Sequence, residues 1–406
     1  MKIVIVGGGS IGTATAARLG PTDHEVTLVE RGEIGTETTA ASAGMVMRAA
    51  VEPTPFDVGL RNRAWEAYQR LFEESDLEAE RIGTLYLAET PAYAERLERS
   101  AATLAEHGVD AAFRTSDELT EYGIDPTGFD GATDFDDGQV PDEFAGGLHT
   151  TADLRCNPAA VASWFAACAR DAGVDVRTGV EVTDIRTRDG SVSGVDISTD
   201  TNTVTNTTHL DADTVINAAG PWAPQLNNTV GVSLPLAHTV GPMAELECPS
   251  SASQDADTTR SNSNPKATPF TILESKRYVR PGAADGSPAP RRAVVGEFNT
   301  GYAEESVLEL DERDLPDSFR SDAPDVASLV SGFDDATITE EWVGYRTVTP
   351  DGRPIVGETE VSGFVVACGL TGLGITLAPA VADLVADAVA GELDREHLER
   401  VGPERF

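Results

Sequence analysis

The chain has 406 residues, 40% of them hydrophobic, which is length for two folded units and enough apolar content to bury a sizeable interior. Asp and Glu number 68 against 30 Lys and Arg, a formal net charge of −38, and so negative a surface repels nucleic acid and anionic membranes. The acids are scattered, as in Asp134, Asp136, Asp137, Asp142 and Glu143, so the composition predicts a solvated acidic surface whose self-repulsion is screened by concentrated salt.

Residues 3–6 are a continuous apolar run, the pattern of a strand covered on both faces. Gly7, Gly9 and Gly12 follow with G-x-G-x-x-G spacing, residues 13–19 suit a helix, and residues 26–29 form a second strand ending at Glu30. This β-α-β unit predicts dinucleotide binding. The turn needs residues without Cβ, the backbone must approach the pyrophosphate, the helix N-terminus faces the phosphates, and the carboxylate accepts from ribose hydroxyls.

Residues 61–81 and 92–107 are charged, amphipathic and helical in period, and residues 113–141 are turn-rich and acidic. A helix is expected over 157–173, with Pro158 near its start and Gly173 at its end. Strands are expected over 174–184, 191–197 and 214–217. Residues 254–269, rich in Ser, Thr, Asn and Asp, read as a surface loop. A strand pair is expected at 276–281 and 292–298, around a Gly/Pro-rich connection. The stretch 364–382 is uncharged and long enough to span a bilayer, but Gly369, Gly372, Gly374 and Pro379 make it a strand, a glycine turn and a helix.

Nucleotide-type segments therefore stand at both ends of the chain. The expected fold is α/β: a discontinuous Rossmann-type domain from 1–60, 145–235 and 336–406, and an inserted α+β substrate domain on an antiparallel sheet from 61–144 and 236–335. Cys156, Cys168, Cys248 and Cys368 form no C-x-x-C pair and the six histidines have no ligand spacing, so reduced thiols and no metal site are expected. The first apolar run stops after four residues, so no signal peptide or transmembrane segment is expected and a cytoplasmic location follows.

Five segments in order resemble the D-amino-acid oxidase superfamily of flavoproteins, which includes glycine oxidase, sarcosine oxidase and D-amino-acid dehydrogenases. They are VIVGGGSIGTATAARL with VTLVE, TTAASAG at 38–44, NAAGPWA at 217–223, EEWVGYRTVTPDGRPIVG at 340–357, and CGLTGLGITLAP at 368–379. The resemblance implies FAD as cofactor. It places Gly7, Gly9, Ser10, Ile11 and Gly12 of the fingerprint at the cofactor, with Glu30 and Arg31 after the second strand. Thr38, Thr39, Ser42, Ala43 and Gly44 correspond to the segment that runs past the pyrophosphate toward the flavin ring. Val182 is implied near the adenine, with Ala219, Gly220 and Trp222 also at the cofactor. Gly369, Gly372, Leu373, Gly374, Ile375 and Thr376 form the last cofactor loop, where a helix N-terminus would stabilise negative charge on reduced flavin; Leu370 and Leu373 make that end apolar.

In relatives of the glycine oxidase type the arginine of the fourth segment binds the substrate carboxylate, and it falls on Arg346; a guanidinium forks onto a carboxylate with two parallel bonds. Tyr278, in KRYVRP, resembles a position from which family members reach the substrate. Arg48 is expected to reach the flavin's active face, as an arginine does in sarcosine oxidases. The flavin-tethering cysteine of those enzymes falls near Gly344, so FAD is expected to be noncovalent. Their oxygen-activating lysine falls on Val294, which leaves the electron acceptor open between oxygen and a quinone or other acceptor. Cys368 is expected to be a small buried residue.

The implied reaction is oxidative deamination of an amino acid, a D-amino acid first, by hydride transfer from Cα, with no side-chain base required. Glycine, sarcosine and proline-like secondary amines remain open. An NAD-dependent dehydrogenase would leave the two C-terminal segments without a role, and a non-catalytic FAD subunit would leave Arg346 without one.

Overall fold

A computed structural model describes residues 1–127, 143–201, 204–248, 268–282, 291–298, 302–303, 315–333 and 335–406. The N-terminal unit forms as expected. Strand Lys2–Val6 leads through the glycines into helix Ser10–Leu19 and returns in strand Glu25–Val29, parallel to the first. The six-stranded sheet then collects distant segments, in the order Ile355–Glu358, Phe364–Cys368, Thr214–Asn217, Lys2–Val6, Glu25–Val29 and Asp175–Arg177. All neighbours are parallel except Ile355–Glu358 beside Phe364–Cys368. The inner strands Phe364–Cys368, Thr214–Asn217, Lys2–Val6 and Glu25–Val29 are buried on both faces over nearly their whole length, which is why Ile3–Val6 reads as an unbroken apolar run. Helices Ser10–Leu19 and Gly374–Ala390 pack on each other in the core cluster to which they contribute Ala14, Ala16, Ala378 and Ala380.

The second large sheet is nine-stranded among the described residues. Its pairs are antiparallel apart from Phe270–Leu273 beside Thr84–Ala88, which run parallel. Two long strands at one end of it, Ala237–Glu247 and Thr337–Val348, pair over nearly their whole length. The expected partition shifts here: Gly146–Thr150 and Thr337–Val348, both assigned to the dinucleotide unit, pair into this sheet. A small sheet of Met45–Val46, Leu154–Cys156 and Ala79–Arg81 accompanies them.

Local signals account for several boundaries. The helix expected from 61 begins earlier, as Pro55–Glu74, because Thr54 and Asp57 form a capping box with Pro55 in the first turn. It ends before Ser75, and Ala79–Arg81 is strand. The single strand expected over 174–184 is two, Asp175–Arg177 and Glu181–Arg188, divided at Gly179 with φ +67°. The helices Pro91–Glu106 and Pro158–Asp171 and the pair Arg277–Pro281/Arg292–Glu297 lie where expected. Most of the loop expected at 254–269, the later part of 113–141, and the connection after Gly282 lie outside the described residues. Among the described residues no single helix is long and apolar enough to cross a membrane; Phe364–Cys368 is a strand and Gly374–Ala390 a buried helix.

Candidate active site

A cavity of about 460 Å³ runs from the first glycine turn to the face of the large sheet. Gly7 has φ +109°, and a Cβ there would stand 2.5 Å from the carbonyl oxygen of Ala218. A Cβ on Gly12 would overlap the Gly7 carbonyl oxygen, so this glycine lets helix Ser10–Leu19 close on the strand and does not itself line the cavity. Gly9 caps the helix without a side chain, and its first turn faces the cavity through Ser10 and Ile11. The Ser10 amide donates to Thr39 Oγ1 (3.1 Å), tying the turn to the segment at 38–44.

Glu30 is buried at the cavity edge. Its Oε2 accepts from the Gly8 amide (2.6 Å) and its Oε1 from the Gly32 amide (2.7 Å). The carboxylate thus fixes the turn, and Glu30 also lines the cavity. Arg31 lies over the Trp222 ring at 3.9 Å and pairs with Glu37 at 3.0 Å, and all three line the wall. Val182, Ala219 and Gly220 border the same region. Thr38, Ser42 and Ala43 line the middle; Gly44 does not, because its φ of +66° turns the chain against the Cys156 carbonyl.

At the other end, Gly369, Gly372, Gly374, Leu370 and Ile375 line the cavity, whereas Leu373 and Thr376 do not. Thr376 is a buried tie: its Oγ1 donates to the Met45 carbonyl (3.0 Å) and accepts from the Met47 amide (3.2 Å). Cys368 is fully buried and burial pushes its thiol up to about 12, which leaves it inert.

Arg346 reaches the cavity from strand Thr337–Val348. A Cβ on Gly372 would come 2.9 Å from Arg346 Cδ, so the glycine makes room for the arginine stem. Its guanidinium carbon lies 5.2 Å from the Phe298 ring centre, and burial holds its pKa below the usual arginine range. Tyr278 is buried and covers Gly296, where a Cβ would overlap the phenol ring. It packs edge-on against Phe270 (5.3 Å) and tilted against Phe298 (4.8 Å). Burial raises its hydroxyl pKa, against the opposing charges of Arg280 and Arg346.

Arg48 is placed differently from expectation. Along the extended segment 45–49, Met45, Met47 and Ala49 join the apolar cluster around Tyr278, so Arg48 points the other way. Its Nε donates to Asn62 (2.9 Å), its Nη2 to the Gly108 carbonyl (2.8 Å), and it does not line the cavity. Asp153 holds the segment by accepting from the amides of Arg48 (2.7 Å) and Ala49 (3.3 Å), and Arg61 donates to the carbonyls of Met47 and Ala49. Sequence reasoning missed Phe298 and Met243, which complete the wall; counting alternate residues back to Tyr278 across the expected strand pair would have found Phe298.

A family model described as FAD dependent oxidoreductase (DAO) matches residues 2–388. The chain belongs to this family of FAD-dependent oxidoreductases. It is 27% identical to a glycine oxidase of Pseudomonas putida, over 96% of this chain and 94% of that one. It is 26% identical to a D-amino acid dehydrogenase of Cereibacter sphaeroides, over 100% and 95%. Among solved structures, an L-proline dehydrogenase from P. horikoshii superimposes with a TM-score of 0.80 at 20% identity, covering 100% of this chain and 97% of that one. A glycine oxidase from Geobacillus kaustophilus gives 0.76 at 24%, covering 100% and 98%. The fold is therefore the mixed α/β fold of these enzymes. FAD fits the residues present: the cavity is elongated between two glycine turns, Glu30 stands at one turn, and the buried Thr38 Oγ1 on its wall has no hydrogen-bond partner among the described residues. NAD as cofactor is set aside by the family match.

Proposed function

We propose that this flavoenzyme oxidises an α-amino acid, with D-amino acids as the preferred class, to a 2-oxo acid and ammonia. The observation that carries the reading is the placement of Arg346, on a strand of the large sheet, in the same cavity as both glycine turns. In this reading Gly7, Gly9, Ser10, Glu30 and Arg31 hold the adenosine and pyrophosphate of FAD, and Gly369, Gly372 and Gly374 bring backbone amides to its other end. Arg346 fixes the substrate carboxylate, and Tyr278, Phe298 and Met243 enclose the carbon that reacts and exclude water. Bound FAD would accept the hydride that leaves Cα. Water then converts the substrate imine to the 2-oxo acid and ammonia. No titratable side chain other than Arg346 and Tyr278 is required, since positioning supplies the rate.

We also propose that FAD is noncovalent, because Gly344 offers no side chain, and that the inserted large sheet with Arg346 forms the substrate unit. The relatives named as glycine oxidase and L-proline dehydrogenase support a second reading in which glycine or a secondary amine is preferred. Anaerobic bleaching of the purified holoenzyme by D- and L-amino acids, glycine, sarcosine and proline decides between them. Fastest bleaching by a D-amino acid is expected, fastest bleaching by glycine or proline selects the second reading, and no bleaching by any amine-bearing carboxylate overturns both. Acid precipitation should release all the flavin; colour in the pellet contradicts the noncovalent assignment.

A further inference from the structure

Strand Met45–Val46 ends its pairing at Val46, whose partner is Leu154. Residues 47–49 have no strand neighbour among the described residues, and side chains satisfy their backbone instead. Thr376 Oγ1 donates to the Met45 carbonyl (3.0 Å) and accepts from the Met47 amide (3.2 Å). Arg61 Nη1 donates to the carbonyls of Met47 (3.0 Å) and Ala49 (3.1 Å). The fully buried Asp153 carboxylate accepts from the amides of Arg48 (2.7 Å) and Ala49 (3.3 Å). These side chains come from separate elements. Thr376 stands in the first turn of helix Gly374–Ala390, whose Gly374 and Ile375 line the cavity, and Arg61 stands on helix Pro55–Glu74. Asp153 follows strand Gly146–Thr150 and is itself anchored. Its Oδ2 accepts from the Thr150 hydroxyl (2.8 Å), and its carbonyl accepts from the amides of Ile82 and Gly83, both at 3.1 Å.

The segment held in this way presents Met45, Met47 and Ala49 to the apolar cluster that contains Tyr278 and Met243, and the last two line the cavity. The Tyr278 ring lies over Gly296, which has no side chain to hold it from below, so the place of the ring depends on its neighbours in that cluster. A close-packed interior passes a displacement on to its neighbours. We propose that Arg61 and Asp153 are positioning residues for the oxidation: from outside the cavity they fix Met45 and Met47, and so fix the Tyr278 wall relative to the cofactor loop that Thr376 ties to the same segment. This role rests on the reaction proposed above, in which that wall holds the reacting carbon. Arg346 keeps the carboxylate whether or not the clamp is intact, so binding and positioning come apart.

The test compares two readings on FAD-loaded enzyme. One is the limiting rate of anaerobic flavin reduction by the amine-bearing carboxylate that bleaches the wild type fastest. The other is the affinity for propionate, a carboxylate without the amine, read from flavin absorbance. Misplacement of about 1 Å can cost on the order of a hundredfold in rate, so Arg61→Met and Asp153→Asn should lower the limiting rate by about ten- to a hundredfold. Propionate affinity should stay within about threefold of wild type, since Arg346 is left in place. Arg61→Lys, which can still donate to the carbonyls, should recover part of the rate. A merely structural role would lower the melting temperature without this split. An unchanged limiting rate in folded Arg61→Met overturns the proposal, and so does a rate that falls in step with propionate affinity. Should Arg61→Met fail to fold, Met47→Ala decides: it keeps the clamp and removes a side chain that the clamp positions, so it should show the same split, and an unchanged rate overturns the proposal. Wild type that no amine-bearing carboxylate bleaches overturns the reaction and this role with it; bleached wild type matched by Arg61→Met overturns this role alone.

Discussion

The two ends of the cavity are built by different means. Around Gly7–Gly12 and Gly369–Gly374 the wall is backbone, and its shape follows from where a Cβ cannot fit. Around Arg346, Tyr278 and Phe298 the wall is side chains standing on a sheet, and its shape follows from which strands are neighbours. A backbone site is written locally, in a dozen consecutive residues. A side-chain site is written in the register of strands more than a hundred residues apart in the chain, as Thr239 opposite Arg346 shows. The first kind tolerates no added atom; the second tolerates exchange but loses geometry by degrees.

This difference predicts a graded set of responses. The largest is at Gly12. Gly12→Val places atoms on the Gly7 carbonyl and forces the helix off the strand, so the purified protein should lack FAD and melt well below wild type, as flavin absorbance and a thermal scan would show. A variant that retains full flavin would break the contrast. The next is at Gly296, where an added methyl collides with the Tyr278 ring. Overpacking of this kind costs about 1–3 kcal/mol, and if that falls on the substrate pocket Gly296→Ala should lower kcat/KM by about 5- to 150-fold, with FAD content unchanged. Unchanged kinetics would separate Tyr278 from the substrate.

A smaller effect is expected at Arg48. Its bonds go to Asn62 and Gly108, away from the cavity, so Arg48→Ala should change kcat/KM by less than about threefold while lowering the melting temperature. A loss of about a hundredfold in activity would return Arg48 to the active face. The smallest is a pH effect remote from the cavity. Burial pushes the Glu89 carboxyl up to about 7, although it accepts from the Ser275 amide (2.6 Å) and hydroxyl (3.0 Å). The unfolded value is about 4.3. Between these pH values the folded state binds more protons, so this group's contribution to stability falls as pH rises through the window and levels off above it. Glu89→Gln should flatten that slope in melting temperature; an unaltered slope contradicts the assignment.

The sequence made the backbone end legible because its rules are local. The strand, glycine turn and carboxylate at 3–30 and the strand, turn and helix from 364 each formed at their expected positions. The long strands Ala237–Glu247 and Thr337–Val348 were not legible as strands. The first carries Gly241 and Pro242, the second Glu340, Glu341 and Gly344, and such residues hide a period of two. Each is stabilised by the other over a long antiparallel pairing, a tertiary fact absent from either segment. Arg346 was singled out through resemblance, and it lines the cavity; its contacts with Gly372 and Phe298 came only from the fold. Arg48 was misplaced because an extended chain alternates sides and the sequence does not say which side faces the cavity.

The central claim is that Arg346 receives the substrate carboxylate, and the most direct measurement is binding of a carboxylate analogue that lacks the reacting amine, read from the absorbance of bound FAD. Hydrogen bonds to charged groups contribute roughly 1.5–3 kcal/mol each, so Arg346→Ala should weaken binding by about ten- to a thousandfold while the flavin stays bound. Arg346→Lys, which keeps the charge but not the planar fork, should recover part of that loss. Equal affinity in wild type and Arg346→Ala, with FAD present in both, would contradict the account.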